Sequence, residues 1–215
     1  MSVMQPSLPR YFLTVTGFFV FALIQFRVGW GDGVTVHSQD FNIGVISIYD
    51  RLFPADWWEG SWTSSGLLGA MGTRFLNLTN LLIVLLPVEA ATDLLYPILL
   101  TVAASGMFVF ATRSLRLGWP AGLLAGLAVA WFGTNVTLVN PGHLYKFGVL
   151  AFACWFPVVW MEAVRRRSWA WAVSAGVVFA MMFYEQQDMA VLFGVLLGPW
   201  ALFESVRGFG ANKAA

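Results

Sequence analysis

Long apolar runs broken by short polar segments organise this chain from one end to the other. The runs are Tyr11–Trp30, Leu94–Thr112, Gly118–Val139, Phe147–Ala163, Trp169–Tyr184 and Met189–Ser205. A membrane-crossing helix needs about 20 mostly apolar residues, with a floor near 17. The first three runs meet that length, Phe147–Ala163 sits at the floor, and the last two are short but close in polar caps. The pattern predicts an all-α polytopic membrane protein: a single membrane domain over residues 1–215 with about six transmembrane helices. Pro97 predicts a bend and Pro157 a kink. The tight links between the last four runs predict antiparallel neighbours.

The polar breaks alternate in chemistry. Arg113/Arg116 is followed by Asn140-Pro-Gly-His143-Leu-Tyr-Lys146, then Arg165-Arg166-Arg167, then Glu185-Gln-Gln-Asp188. With six spans and the N-terminus inside, one side holds eight basic residues: Arg10, Arg113, Arg116, Arg165, Arg166, Arg167, Arg207 and Lys213. The other side holds four: Arg27, Arg51, Arg74 and Lys146. The positive-inside rule therefore orients both termini to the cytoplasm. Nine of the eleven acids and both histidines fall on the opposite, outer side.

Residues 31–93 form the first outer loop of that topology. Loops beyond about 15 residues usually carry structure or function. Phe41–Phe53 suits an amphipathic helix, and Pro54, Trp57, Trp58 and Trp62 have the aromatic density of an interfacial belt. Leu81–Leu86 is strongly apolar. Counting Gly66–Pro87 as a seventh span would bury Arg74 and reverse every later loop, so the stretch reads as re-entrant or interfacial.

Composition agrees with lipid as the solvent. Hydrophobic residues make up 59% and charged residues 11%, with 11 Trp and 19 Phe; soluble domains carry about 25% charge. Mean hydropathy is +0.72. A net charge of +1 gives nucleic acid binding no electrostatic support. Cys154, the single cysteine, lies in an apolar run, which excludes a disulfide framework and a cysteine metal site. Arg10 precedes the first run and no small-x-small site follows it, so a retained first helix is expected rather than a cleaved signal peptide.

Four polar positions are candidates for chemistry. Asp40 follows the first run and suits a general base or a cation ligand; it equally suits a solvated acid capping the next helix. His37 and Asp40 together fall short of the three or four groups a metal needs. His143 and Lys146 open the fourth span, where backbone N–H groups already favour a phosphate. The alternative there is a lysine snorkelling to the interface. Glu185 and Asp188 flank two glutamines between spans, and such a group is costly unless it meets water or a cavity. It could hold a sugar or a divalent cation, or form a hydrophilic hairpin tip. Arg165–Arg167 reads as a topology anchor touching lipid headgroups. Gly122/Gly126 and Gly194/Gly198 are GxxxG pairs that permit close helix packing. Transport is disfavoured, because ionisable residues avoid the span interiors.

Taken in order, these features resemble the N-terminal half of the GT-C-type membrane glycosyltransferases, nearest to the YfhO-like bacterial membrane proteins. The resemblance rests on the early outer-loop Asp40, the interfacial Pro54 and tryptophans, the Thr112-Arg113 turn, Gly142-His143-x-x-Lys146 and the later acid/amide break. It implies a protein of the bacterial inner membrane transferring a sugar from a polyprenyl phosphate. By that resemblance Asp40 would deprotonate the acceptor. His143 and Lys146, with Arg74, would stabilise the lipid-phosphate leaving group, and Glu185 and Asp188 would bind sugar or a divalent cation. No cofactor is otherwise implied.

Family members usually have more spans and a further soluble domain, so the expectation is a truncated relative or a chain completed by another subunit. A second reading stands beside the first: a non-catalytic scaffold or assembly subunit of a larger membrane complex. Expected partners are membrane lipids, a lipid-linked sugar and other membrane subunits.

Overall fold

The computed structural model describes residues 7–27, 78–86, 88–133 and 143–210. The described residues are helical: α1 (Leu8–Gln25), α2 (Leu78–Leu85), α3 (Val88–Val109), α4 (Trp119–Ala130), α5 (Leu144–Arg166), α6 (Trp169–Glu185) and α7 (Gln187–Gly210). A π-turn, Phe110–Ser114, continues α3. Among the described residues four segments are long and apolar enough to cross a membrane: Leu8–Gln25, Asp93–Ser114, Leu144–Arg166 and Gln187–Gly208. Helices α4 and α6 are apolar but shorter. The predicted Gly118–Val139 run is helical through Ala130, and residues 134–139 lie outside the described residues.

Local chemistry sets several ends. Proline stands in the first turn of α1 and of α4, where its missing N–H breaks no intrahelical bond. Helix α5 stops at Arg167, which takes a left-handed conformation. One extended residue, Gln186, separates α6 from α7. Pro97, Pro157 and Pro199 lie inside continuous helices.

Helix α3 is the hub, packing against α1, α4 and α5. Its Leu95, Tyr96, Leu99, Leu100, Ala104 and Phe108 are buried with Phe18 and Ala22 of α1, Phe26 just after it, and Phe147 of α5. Aromatic rings lock this layer: Phe26 stacks on Tyr96 at 5.7 Å, and Tyr96 meets Phe147 edge-on at 5.1 Å. Helix α5 in turn packs against α6 and α7. Between helices in lipid, close contact rather than water exclusion holds such a bundle together.

The antiparallel chain of neighbours expected across the last four runs is interrupted at α4, which packs chiefly on α3 and α1 instead of α5. Its glycines explain this. A Cβ at Gly126 would strike the Phe18 ring and come within 2.9 Å of the Ala104 carbonyl. One at Gly122 would strike Thr112 and Phe108. The first GxxxG pair thus opens a groove that α1 and α3 fill. In the second pair only Gly194 has a neighbour, Phe179 of α6, while Gly198 faces open space.

Apart from the short α2, successive helices alternate in direction. The start of α1 meets the end of α3, where the Tyr11 and Thr112 hydroxyls lie 3.3 Å apart. The start of α4 joins them, with the Trp119 indole donating to the Thr14 hydroxyl at 3.1 Å. The ends of α3, α5 and α7 share one cleft. Arg113, Arg116 and Arg165–Arg167 gather at this end with Arg207. Glu185 lies at the opposite end of the bundle, beside the first turns of α2 and α5.

Candidate functional site

The end opposite the arginines holds Glu185, the last residue of α6. It is only 2% exposed. Three elements enclose it. Its own helix delivers it at a C-terminal end, just before the extended Gln186 turns the chain. From α2, the Thr79 backbone N–H donates to Oε1 at 3.0 Å. From α5, Gly148 leaves the space that the carboxyl group fills, since any Cβ there would collide with it. The equally buried Thr79 hydroxyl lies beside the carboxyl group and interacts with it, although Oε2 and that hydroxyl fall short of strict hydrogen-bond geometry.

Each part of this arrangement has a physical reason. The first N–H groups of a helix lack intrahelical partners, and the N-terminus carries partial positive charge, so the start of α2 welcomes a carboxylate. A charge-assisted bond of this kind contributes about 1.5–3 kcal/mol. The imperfectly bonded Oε2 offsets part of that, because burying a poorly satisfied polar atom is costly. The result is an enclosed carboxyl group held on Oε1 by the Thr79 N–H, with Oε2 beside the Thr79 hydroxyl.

The other predicted site residues divide into three groups. His143 caps α5 and Lys146 lies in its first turn, with the Lys146 N–H donating to the His143 carbonyl at 3.1 Å. Both are half-buried, and Lys146 stands two residues before the Gly148 that seats Glu185. The fourth-span break and the acid/amide break therefore meet at one end of the bundle. Asp188 is different: it lies exposed in the first turn of α7, where an acid suits the helix N-terminus. Glu185 and Asp188 thus face different surroundings, one enclosed by protein and the other outward. Asp40 and Arg74 lie outside the described residues, as does His37. Among the described residues no group of three or more His, Cys, Asp or Glu could hold a metal ion.

Sequence reasoning missed Thr79 and Gly148. Thr79 belongs only to the uninformative Asn77-Leu-Thr79 sequon and Gly148 to no motif, and their link to Glu185 spans 106 residues in one case and most of a helical hairpin in the other. The apolar Leu81–Leu86 segment was the available signal for Thr79. It proves to be part of α2, which packs against α3, α5 and α6 with Thr79 fully buried.

An all-helical bundle with four helices able to cross a bilayer defines the chain as a membrane protein. No protein family, no curated protein and no solved structure matches it.

Proposed function

We propose that the chain crosses the membrane six times, with the arginine end cytoplasmic, and works at the opposite end on a lipid-linked sugar. The six-crossing reading is supported by the alternating helix directions and by the arginines gathered at one end. Glu185 carries the functional reading: a buried carboxyl seated on the start of α2, at the same bundle end as Lys146 and His143. In this scheme Lys146 and His143 stabilise a polyprenyl-phosphate leaving group, and Asp40 of the outer loop takes the acceptor proton. Glu185 and Asp188 bind the sugar or a divalent cation, by the same resemblance. The assignment to a GT-C-like glycosyltransferase rests on the sequence resemblance.

A second reading, an assembly subunit, is favoured by α7. Only 11% of its membrane segment is buried, against 61% for α5. Its Val191, Leu192, Val195, Leu196, Leu202 and Phe203 are all exposed. Another membrane subunit could cover this face.

The test is turnover of a radiolabelled polyprenyl-phosphate sugar by the purified chain in proteoliposomes. Glycosyl transfer should occur, and Asp40→Asn and Glu185→Gln should each lower it by about 100-fold or more. Full turnover in Asp40→Asn would remove the base assignment. Absence of turnover, together with stoichiometric co-purification of another membrane subunit, would favour the assembly reading.

A further inference from the structure

The arginine end has a built feature of its own. Residues 114–116, where the π-turn after α3 ends, and the ends of α5 and α7 surround a cleft of about 620 Å³. That lies within the roughly 300–1,000 Å³ typical of small-molecule sites. Arg116, Arg165, Arg167 and Arg207 line it with Glu204 and Met161. Four arginines line the cleft against Glu204, and Glu162 approaches Arg165 at 3.9 Å, so the cleft keeps a net positive charge.

Two of the arginines are already engaged. Arg165 donates to the Arg113 and Ser114 carbonyls. Arg207 pairs with Glu204 at 2.8 Å. Arg116 and Arg167 have no hydrogen-bond or ion-pair partner among the described residues.

A second observation, independent of charge, singles out the same two residues. Among the described residues only Arg116 (φ 56°) and Arg167 (φ 48°) are non-glycine positions with positive φ. Arg167 caps α5, a place usually given to glycine because a side chain is disfavoured there. Arg116 follows the π-turn, where the Leu117 N–H closes back onto the Ala111 carbonyl at 2.9 Å. Backbone strain of this sort accumulates where a side chain is needed for a task. Both strained residues line one cleft, and both have a free guanidinium.

We infer that this cleft binds a phosphate monoester group. Planar guanidinium forks match phosphate oxygens bidentately, and two unengaged forks suit a doubly charged group. A cleft built from the ends of membrane-spanning helices lies where a phosphate can arrive on a lipid headgroup or from solution. This site is separate from Glu185 and does not depend on the glycosyltransferase reading.

The full chain in detergent, probed by native mass spectrometry, tests it. Phosphatidic acid should be retained over phosphatidylcholine by about tenfold or more. The double variant R116G/R167G keeps the backbone conformation at ease and removes both forks; it should lose that preference. R116K/R167K keeps the charge and loses the forks, and should fall between. R113Q removes an exposed arginine at the same end that does not line the cleft, and should retain full preference. Inorganic phosphate at millimolar concentration separates the sources. If it displaces phosphatidic acid, the site accepts a free phosphate; if it does not, the lipid is the ligand, and either result upholds the phosphate site. Equal retention of the two lipids by the unaltered chain would overturn the proposal. So would a loss in R113Q as large as in R116G/R167G, since bulk charge would then account for binding.

Discussion

Glu185 rests against Gly148, and the carboxyl group occupies the volume that any side chain at 148 would need. The contact joins the end of α6 to the first turns of α5, and the Thr79 N–H completes the seat. Gly148→Ala must therefore displace the carboxyl or part the helices. Overpacking of this kind costs about 1–3 kcal/mol. Thermal unfolding in detergent should show a clear fall in midpoint. Gly176→Ala is the control: it has open space, so its midpoint should hold or rise slightly through better helix propensity.

The two GxxxG pairs should respond differently to alanine. Gly126 faces Phe18 and the Ala104 backbone carbonyl, and a carbonyl within a helix cannot swing aside. Gly126→Ala is expected to cost about 1–3 kcal/mol and to loosen α4 from α1 and α3. Gly198→Ala has no neighbour to strike and should leave stability unchanged within about 0.5 kcal/mol. Denaturant titration of both variants in the same micelle checks the contrast.

Arg165 and Arg166 are adjacent yet unequal. Arg165 ties α5 to the Arg113 and Ser114 carbonyls at the end of α3, while the exposed Arg166 pairs with Glu162 at 2.6 Å and lies over the Trp171 ring of α6 at 5.2 Å. Arg165→Gln should cost about 1.5–3 kcal/mol through lost charge-assisted bonds. Arg166→Gln should cost less than about 1 kcal/mol, as exposed pairs do. Comparing their unfolding midpoints tests the difference; equal midpoints would show that the Arg165 tie to α3 contributes no more than the exposed contacts of Arg166.

Removing strain should stabilise the fold. A side chain in the left-handed region costs about 1–2 kcal/mol, part of which glycine returns through its larger unfolded-state entropy. Arg116→Gly and Arg167→Gly are each expected to raise stability by up to about 1 kcal/mol. Calorimetry on the two single variants checks this directly.

Topology can be read with thiol reagents, because Cys154 is buried and contributes little background. Gln186→Cys, between α6 and α7, should label from the outer side only. Leu117→Cys, exposed in the link between α3 and α4, should label from the cytoplasmic side only. Labelling of both from one side would sink the six-crossing reading.

The apolar runs revealed helices better than helix ends. The run predicted at Phe147–Ala163 is a helix over Leu144–Arg166, because charged and polar residues continue a helix past its apolar core. The run beginning at Leu94 starts in the structure at Val88 and ends in a π-turn that no periodicity announces. Glu185 was visible as a costly acid between spans, yet its burial and its separation from Asp188 were not. Those depend on which way each helix end turns, and a single extended residue, Gln186, decides that. Thr79 and Gly148 carry no chemistry of their own in the sequence; only tertiary contact makes them part of the seat.

The hub position of α3 has a consequence for biogenesis. Helices α1, α3 and α4 pack on one another, whereas α6 and α7 attach chiefly through α5. Synthesis delivers the first group before the second, and chain segments assemble in that order. The seam between α3 and α5 is where the two groups join. Three clasps cross from the earlier group to the later one: Thr79 to Glu185, Arg113 and Ser114 to Arg165, and the Phe110 ring to Trp200 at 5.8 Å. They lie towards both ends of the bundle, so a ribosome-released chain reaches its final form only when α7 has arrived and both ends are fastened.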